Sequence, residues 1–363
     1  MGEYGKMEFL RKQDILVYGA GDFFNRNKEI IKEQYHIKAI IDKNKQGFLE
    51  EWKLIKIDEC TDIAYEKVII MVENIRECFL IVKDLLNVGV ESEKIVVGGG
   101  LYGAYADKYD EIKVLPDGKM RVSRNGIKVA VRSIDEFNNV YATLVGGWYR
   151  YKLNNSKKDI VIDVGMNIGD TTLYFLANNK VEKVYAFEPF QKTFLDAKEN
   201  LSEYINDSGR VEIFQYGLSD VTEERTIFFN EDMSCGMSTK SAEEMDGYDV
   251  YGFYYNNGLA EREKEESEKI LVKNAADVLA PIIEKHKRNN NIVLKMNCEG
   301  EEYGIIEILN KEGILSQIDF IILEWHYQGN ERIIDELSKA GFSYYCAEEK
   351  KNMGQMCAWR CGV

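Results

Sequence analysis

The most constraining feature of the 363-residue sequence is an apolar strand that leads directly into a glycine-containing turn and a helix, and it occurs twice. The second and fuller copy reads DIVIDVGMNIGD over residues 159–170. Continuous apolar runs are typical of strands buried on both faces of a parallel sheet. Glycines let a ligand approach the turn, and the first helical N–H groups attract anionic groups. This order predicts an α/β fold with a ligand at the carboxyl ends of its strands.

The second copy offers five candidate cofactor contacts. Asp163 ends the strand, Gly165, Asn167 and Gly169 form the turn, and VEKVYAFEP places Glu188 19 residues beyond Gly169. An acidic residue at the end of the second strand can accept both hydroxyl protons of a ribose. Two alternatives stay open, because Asn167 could serve only as a helix cap and Glu188 could be a solvated strand-end residue.

The first copy, DILVYGAG over residues 14–21, matches this arrangement in part. Gly19 and Gly21 form the turn, and the next strand ends in Asp42, 21 residues after Gly21. Phe24 occupies the position of the third glycine in the dinucleotide-binding pattern. The sequence therefore predicts a small Rossmann-like domain that either binds a nucleotide at Asp42 or only packs and forms homo-oligomers.

Composition limits the expected partners. The chain has 62 acidic and 47 basic side chains, a formal charge of −15, and 45% hydrophobic residues. Binding to nucleic acid needs clustered Lys and Arg, so no nucleic-acid partner is expected. The sequence shows neither an apolar leader nor a run of about 18 apolar residues, so we expect a cytoplasmic protein without a membrane span. Seven scattered cysteines, three histidines and the absence of CxxC make a metal site or disulfide framework unexpected.

Five segments, in order, resemble the FkbM family of class I S-adenosylmethionine-dependent methyltransferases. They are DVGMNIGD (163–170), AFEP (186–189), YGLSD (216–220), LKMNCEGEEYGIIEIL (294–309) and FIILEWH (320–326). The resemblance covers about residues 140–363 and implies a doubly wound methyltransferase sheet with S-adenosyl-L-methionine as cofactor. It implies methyl transfer to a hydroxyl, or to an amine, of a small-molecule, sugar or glycan-linked acceptor.

The resemblance also implies contacts around the cofactor and the acceptor. Ser219 and Asp220 fall where adenine contacts usually arise, although turn formation explains a Ser-Asp pair equally well. Trp148 and Tyr149 precede the cofactor turn and are expected to form a wall of the site. Tyr254 belongs to an aromatic cluster in a long insertion, which either forms a satellite core or closes over the acceptor as a lid.

Catalytic groups are expected at the carboxyl ends of the fourth and fifth strands of the methyltransferase sheet. His326 follows a buried strand and is the preferred general base, and Glu324 could orient it or a substrate hydroxyl. Glu299 is the leading polar residue, with a structural helix N-terminal carboxylate as its alternative. Asn297 stands where the family usually has Asp, so it can position a substrate but cannot accept its proton.

Lys295 is a further catalytic candidate because it lies within the otherwise apolar strand IVLKMN. A buried lysine needs a carboxylate partner, and Glu188, Glu299 and Glu324 are the expected candidates.

The sequence predicts three regions: a small Rossmann-like domain (1–100), bridging hairpins (101–145) and a methyltransferase domain with a long insertion (146–363). Asp-Gly and Asn-Gly turns within alternating polar and apolar residues indicate the hairpins. Two other functions are compatible with the sequence. One is a nucleotide-dependent sugar oxidoreductase that uses Asp42, and the other is a non-catalytic cofactor-binding scaffold, suggested by Asn297.

Overall fold

The computed structural model describes residues 11–207, 209–230, 265–350 and 352–360. It divides into two compact units, Met1–Phe137 and Asn138–Val363. Both units alternate strands and helices, as the two strand–turn–helix copies predicted. The mixed α/β fold class is therefore confirmed.

The first unit contains one nine-stranded sheet in the order β3-β4-β2-β1-β5-β6-β7-β8-β9. Neighbours from β4 to β6 in this order are parallel, and the remaining pairs are antiparallel. The strands are β1 (Gln13–Tyr18), β2 (Tyr35–Ile41), β3 (Gly47–Leu49), β4 (Trp52–Ile55), β5 (Lys67–Ile70), β6 (Ile95–Val97), β7 (Glu111–Val114), β8 (Met120–Arg124) and β9 (Ile127–Val131). The helices are α1 (Asp22–Gln34), α2 (Ile75–Asn87), α3 (Gly99–Tyr102) and α4 (Ile134–Tyr141), the last of which crosses into the second unit.

Two sequence features explain local packing in this unit. The segment with Asp-Gly and Asn-Gly turns forms the antiparallel strands β7, β8 and β9, which extend the sheet beyond its parallel part. Phe24, at the position of the missing third glycine, is fully buried and meets the edge of the Trp52 ring at 5.7 Å between centroids. An aromatic contact therefore replaces the close backbone approach that a glycine would allow.

The second unit contains a seven-stranded sheet in the order β12-β11-β10-β16-β17-β19-β18 and a three-stranded sheet in the order β13-β15-β14. Its strands are β10 (Asp159–Val164), β11 (Val181–Phe187), β12 (Val211–Phe214), β13 (Gly217–Ser219), β14 (Glu223–Asn230), β15 (Glu265–Asn274), β16 (Asn291–Met296), β17 (Phe320–Trp325), β18 (Phe342–Lys350) and β19 (Met353–Arg360). Its helices are α5 (Asp170–Leu176), α6 (Gln191–Asn200), α7 (Ser202–Asp207), α8 (Ala275–His286), α9 (Glu302–Lys311) and α10 (Glu331–Lys339).

The centre of the larger sheet fixes where a ligand can bind. All residues of β10, β16 and β17 are buried, as their apolar sequences predict. β10 pairs in parallel with β11 on one side and with β16 on the other, so the strand order reverses at β10. The crevice at the carboxyl ends of these strands is the expected ligand site of an open α/β sheet.

The described residues contain no helix that combines the length and the apolarity needed to cross a membrane.

Candidate active site

A cavity of about 430 Å³ lies at the carboxyl ends of β10, β11, β16 and β17. Its volume falls within the usual range of small-molecule sites. The structure brings ten of the residues proposed from the sequence to its lining: Trp148, Tyr149, Gly165, Asn167, Glu188, Lys295, Asn297, Glu299, Glu324 and His326. Segments far apart in the chain thus meet in one space.

Four other proposed residues do not line this cavity: Asp163, Gly169, Ser219 and Asp220. Tyr254 lies outside the described residues. Asp163 is fully buried, and the Ser219 hydroxyl donates a hydrogen bond to Asp220 at 3.0 Å while accepting one from Arg225 at 3.2 Å. Ser219 is therefore part of a hydrogen-bonded network with Asp220 and Arg225. Its contact with adenine stays a prediction.

Asp163 is the anchor of the turn after β10. Its Oδ1 lies 2.9 Å from Lys295 Nζ, and its Oδ2 accepts hydrogen bonds from the hydroxyls of Thr171 and Thr172, both at 2.7 Å. Lys295 also donates to the carbonyl oxygen of Gly165 at 2.6 Å. One buried carboxylate therefore joins β10, β16 and the first turn of α5.

The expected partners of Lys295 were wrong. Glu188, Glu299 and Glu324 were expected from the sequence, whereas the side chain pairs with Asp163. The physical reason is the register, because parallel pairing of β10 and β16 places Asp163 directly opposite Lys295.

Gly165 is required by a close approach of two backbones. Its φ is +75°, and a Cβ at this position would lie 1.9 Å from the carbonyl oxygen of Asn297. Glycine tolerates this conformation and leaves room for the end of β16. Gly169, with φ +85°, forms the N-cap of α5.

Glu188 presents a buried carboxylate to the cavity, with 6% of the residue exposed. Its Oε1 accepts the N–H of Phe190 and its Oε2 accepts the N–H of Asn167, both at 3.1 Å. Burial raises the pKa of Glu188 to about 7, although both backbone N–H groups act to lower it. Each carboxylate oxygen keeps lone-pair capacity for one further hydrogen bond, which suits two neighbouring hydroxyl groups.

His326 lies among three carboxylates and is 1% exposed. Its Nδ1 is 3.1 Å from Glu302 Oε1, and its Nε2 is 3.7 Å from Glu299 Oε2 and 3.9 Å from Glu324 Oε2. Burial acts to lower the pKa of this imidazole, but the carboxylates outweigh burial and raise the pKa to about 10. At neutral pH the ring is therefore protonated.

Tyr149 connects Asn297, which follows β16, with Glu324 at the end of β17. Its hydroxyl donates to Glu324 Oε1 at 3.0 Å and accepts a hydrogen bond from Asn297 Nδ2 at 3.3 Å. Burial raises the pKa of Glu324, against the opposing effect of His326. Asn297 thus orients a chain of hydrogen bonds that ends on a carboxylate in the cavity.

Glu299 lies in the turn before α9, which begins at Glu302. Its φ of +55° is in the left-handed region, where a non-glycine residue is strained, and Tyr327 Oη donates to its Oε2 at 2.9 Å. Strain of this kind is frequent at functional sites.

Sequence reasoning missed several groups at this site. Glu302 is fully buried and accepts the N–H groups of Cys298 and Gly300 at 2.9 and 2.8 Å. It therefore fixes the turn before α9, and it also contacts His326. An acidic residue in the first turn of a helix was the available signal.

Thr143 is a second residue that the sequence did not indicate. It lies in a π-helical turn over Ala142–Gly146 and donates to Asp170 Oδ2 at 2.7 Å. Single π-helical turns are common at functional sites, but no sequence pattern predicted this one.

The described residues contain no group of three or more His, Cys, Asp or Glu side chains arranged to hold a metal ion.

The reversed strand order defines a Rossmann-like α/β protein, and its cavity lies where such sheets usually bind ligands. The family model of the Methyltransferase FkbM domain matches residues 163–344, which is half of the chain. The chain therefore belongs to the FkbM methyltransferase family, as its five motifs predicted.

The solved structures that this chain is similar to have low sequence identity and TM-scores below 0.5. Methyltransferase FkbM from Methylobacillus flagellatus KT is 11% identical, with a TM-score of 0.34 over 96% of this chain and 90% of that chain. The human methyltransferase 10 domain containing protein is 12% identical, with a TM-score of 0.32 over 70% and 89%. Precorrin-6y C5,15-methyltransferase from Geobacter metallireducens GS-15 is 9% identical, with a TM-score of 0.28 over 56% and 81%. A comparison with curated proteins gave no match.

Proposed function

We propose that the second unit transfers the methyl group of S-adenosyl-L-methionine to a hydroxyl group of an uncharged, sugar-like acceptor. The observation that carries this proposal is that one cavity holds a buried carboxylate, Glu188, and a separate polar cluster around Glu324 and His326. The first group suits the cofactor and the second suits an acceptor. An amine on a similar acceptor is the second candidate nucleophile.

The residues present fit the cofactor. Glu188 has one free acceptor position on each oxygen, as the adjacent hydroxyls of a ribose require. Gly165 and Asn167 line the cavity beside it, and Gly165 leaves room there because it has no side chain. When bound, S-adenosyl-L-methionine would supply a methyl group on a sulfonium centre. The protein would have to position the acceptor and accept its proton.

The acceptor must lose a proton as its oxygen forms the new bond to the methyl carbon and the sulfur–carbon bond breaks. His326 is charged at neutral pH and cannot take this proton. We therefore assign the general base to Glu324, whose burial raises its pKa and whose orientation is fixed by Tyr149. In this assignment His326 is a positioning residue that holds Glu299 and Glu324 close to each other.

The charge of the lining supports an uncharged acceptor. Among the described lining residues, Lys295 and His326 are the cationic side chains, and both lie beside carboxylates. A polyanionic acceptor would find no free cation there. Trp148 is 38% exposed at the cavity and offers an aromatic surface on which a sugar ring can stack.

Isothermal titration calorimetry with S-adenosylhomocysteine tests the cofactor assignment. Glu188→Ala should weaken binding at least about 100-fold, since two charge-assisted hydrogen bonds are lost. Glu182→Ala is a matched control at the other end of β11, because Glu182 is exposed and accepts a hydrogen bond from Asn290 outside the cavity. Unchanged affinity in Glu188→Ala, with its fold intact by circular dichroism, would contradict the assignment.

A further inference from the structure

A second cavity, of about 1040 Å³, lies in the first unit at the carboxyl ends of β1, β2 and β5. β1 pairs in parallel with β2 on one side and with β5 on the other, so the strand order reverses here too. Open α/β sheets bind ligands at such points. The methyl-transfer site described above uses no residue of this unit.

The turn between β1 and α1 presents backbone to this cavity. Gly19 has φ +105°, and a Cβ there would lie 3.0 Å from the carbonyl oxygen of Met71. Gly21 precedes the 13-residue helix without a side-chain cap, and a Cβ on Gly21 would meet no atom within 4 Å. The first N–H groups of α1 therefore lie beside open space and suit an anionic group.

Tyr18 gives a second, independent indication of a ligand. Tyr18 is one of the residues that line the cavity, and it is 3% exposed. Its hydroxyl is buried and has no hydrogen-bond partner among the described residues. A buried hydroxyl without a partner is destabilising, and a polar group of a bound ligand would satisfy it.

Asp42 has a structural role in addition to the ligand contact that its sequence position predicts. Its Oδ1 accepts the N–H groups of Asn44 and Lys45 at 2.9 and 2.8 Å, and its Oδ2 accepts the N–H of Ala20 at 3.1 Å. The carboxylate therefore clamps the glycine turn to the end of β2. One lone pair of Oδ2 remains, which is enough for a single ligand hydroxyl.

The charges around the cavity argue against a bare inorganic anion. Arg26 and Lys43 line it, but Asp22, Asp42, Glu73 and Glu77 do so as well. Attraction of an anion must then come mainly from the neutral N–H groups at the helix start. The remaining affinity must come from an uncharged part of the ligand that fills the volume and meets the Tyr18 hydroxyl.

We propose that the first unit binds a nucleoside diphosphate. The diphosphate lies against the Gly19–Gly21 turn and the start of α1, and the nucleoside contacts Tyr18 and Asp42. This site is separate from the proposed methyl-transfer site and does not depend on it.

Isothermal titration calorimetry of the full chain tests this proposal with ADP, UDP, GDP and CDP and with inorganic pyrophosphate. Saturating S-adenosylhomocysteine is present, and Glu188→Ala is titrated in parallel, so that binding at the other site is recognised. At least one nucleoside diphosphate should bind with micromolar affinity and one-to-one stoichiometry, and pyrophosphate should bind at least about tenfold more weakly.

Tyr18→Phe should weaken nucleotide binding at least about fivefold, because only the unpartnered hydroxyl is removed and the fold should not suffer. Tyr102→Phe is the matched control, since Tyr102 Oη donates to Gln34 at 2.7 Å away from the cavity lining. No binding by any nucleotide, pyrophosphate binding as tight as nucleotide binding, or equal affinities in both variants would overturn the proposal. Loss of binding in Glu188→Ala would also overturn it.

Discussion

Lys295 Nζ lies 2.9 Å from Asp163 Oδ1, and neither residue is more than 1% exposed. The ion pair joins the central strands β10 and β16 directly beneath the glycine turn. Because Lys295 also donates to the Gly165 carbonyl oxygen, one side chain supports both the sheet and the wall of the cavity. The pair is thus a structural support for the proposed cofactor site.

Removing this lysine should be strongly destabilising. Lys295→Met leaves a buried carboxylate without its cation and should lower the free energy of unfolding by about 3–5 kcal/mol. Urea denaturation measures the change. Lys183→Met is the control, because Lys183 pairs with Glu212 at the surface and should contribute about 0–1 kcal/mol. A similar loss in both variants would contradict the structural role of the buried pair.

Cofactor affinity should depend on pH through Glu188. Its pKa of about 7 in the free protein means that the carboxylate is largely protonated at pH 6 and largely ionised at pH 8. Ribose hydroxyls donate to the ionised form, so S-adenosylhomocysteine affinity should rise from pH 6 to pH 8 and then level off. Calorimetry at several pH values checks this, with Glu188→Gln expected to bind weakly and without that rise. A flat profile for the wild-type chain would refute it.

The turn after β10 should tolerate no side chain at Gly165. In Gly165→Ala the new Cβ would collide with the Asn297 carbonyl at 1.9 Å, in addition to the unfavourable φ of +75°. We expect a loss in unfolding free energy well above the about 1 kcal/mol typical of a positive-φ glycine alone. Gly313→Ala isolates the φ effect, since Gly313 has φ +70° and open space around it. Equal losses in thermal or urea denaturation would contradict the close backbone approach.

The base assignment predicts a separation of turnover from binding. Glu324→Gln should lower kcat by about 10²–10⁴-fold while leaving S-adenosylhomocysteine affinity nearly unchanged. Glu307→Gln, on the exposed side of α9, should retain full activity. Initial rates of S-adenosylhomocysteine release measure both. If Glu324→Gln kept wild-type kcat, the proton acceptor would have to be another group.

His326 should act through position and charge. His326→Gln should lower kcat and also shift the pH–rate profile, because it removes the cation that opposes the raised pKa of Glu324. The acidic limb of the profile should therefore move to higher pH. A loss of rate without any shift would leave His326 with a purely packing role.

The strands and the turn of the site could be predicted because they depend on local sequence. Apolar runs that end in glycine encode β1 and β10 within a few neighbouring residues, and the cavity location follows from parallel pairing. The partner of Lys295 could not be predicted in this way, since it depends on the register between β10 and β16.

The carboxylates around His326 could not be predicted from the sequence either. Glu299, Glu301 and Glu302 are close together in the sequence, but the fold of the turn and the start of α9 decide that Glu299 and Glu302 lie beside the imidazole. Glu302 meets Nδ1, whereas Glu301 turns to Arg225 at 2.6 Å. The raised pKa of His326 requires carboxylates from two separate segments, so a single motif could not reveal that the ring is protonated.

The most direct test of the proposed function is transfer of an isotope-labelled methyl group from S-adenosyl-L-methionine. The full chain is incubated with neutral sugars, amino sugars and glycan extracts, and products are analysed by mass spectrometry, with Glu188→Ala as the negative control. We expect label on an oxygen of an uncharged acceptor, matched by S-adenosylhomocysteine release and absent from the variant. Cofactor binding without label transfer to any acceptor, or label on polyanionic acceptors alone, would contradict it.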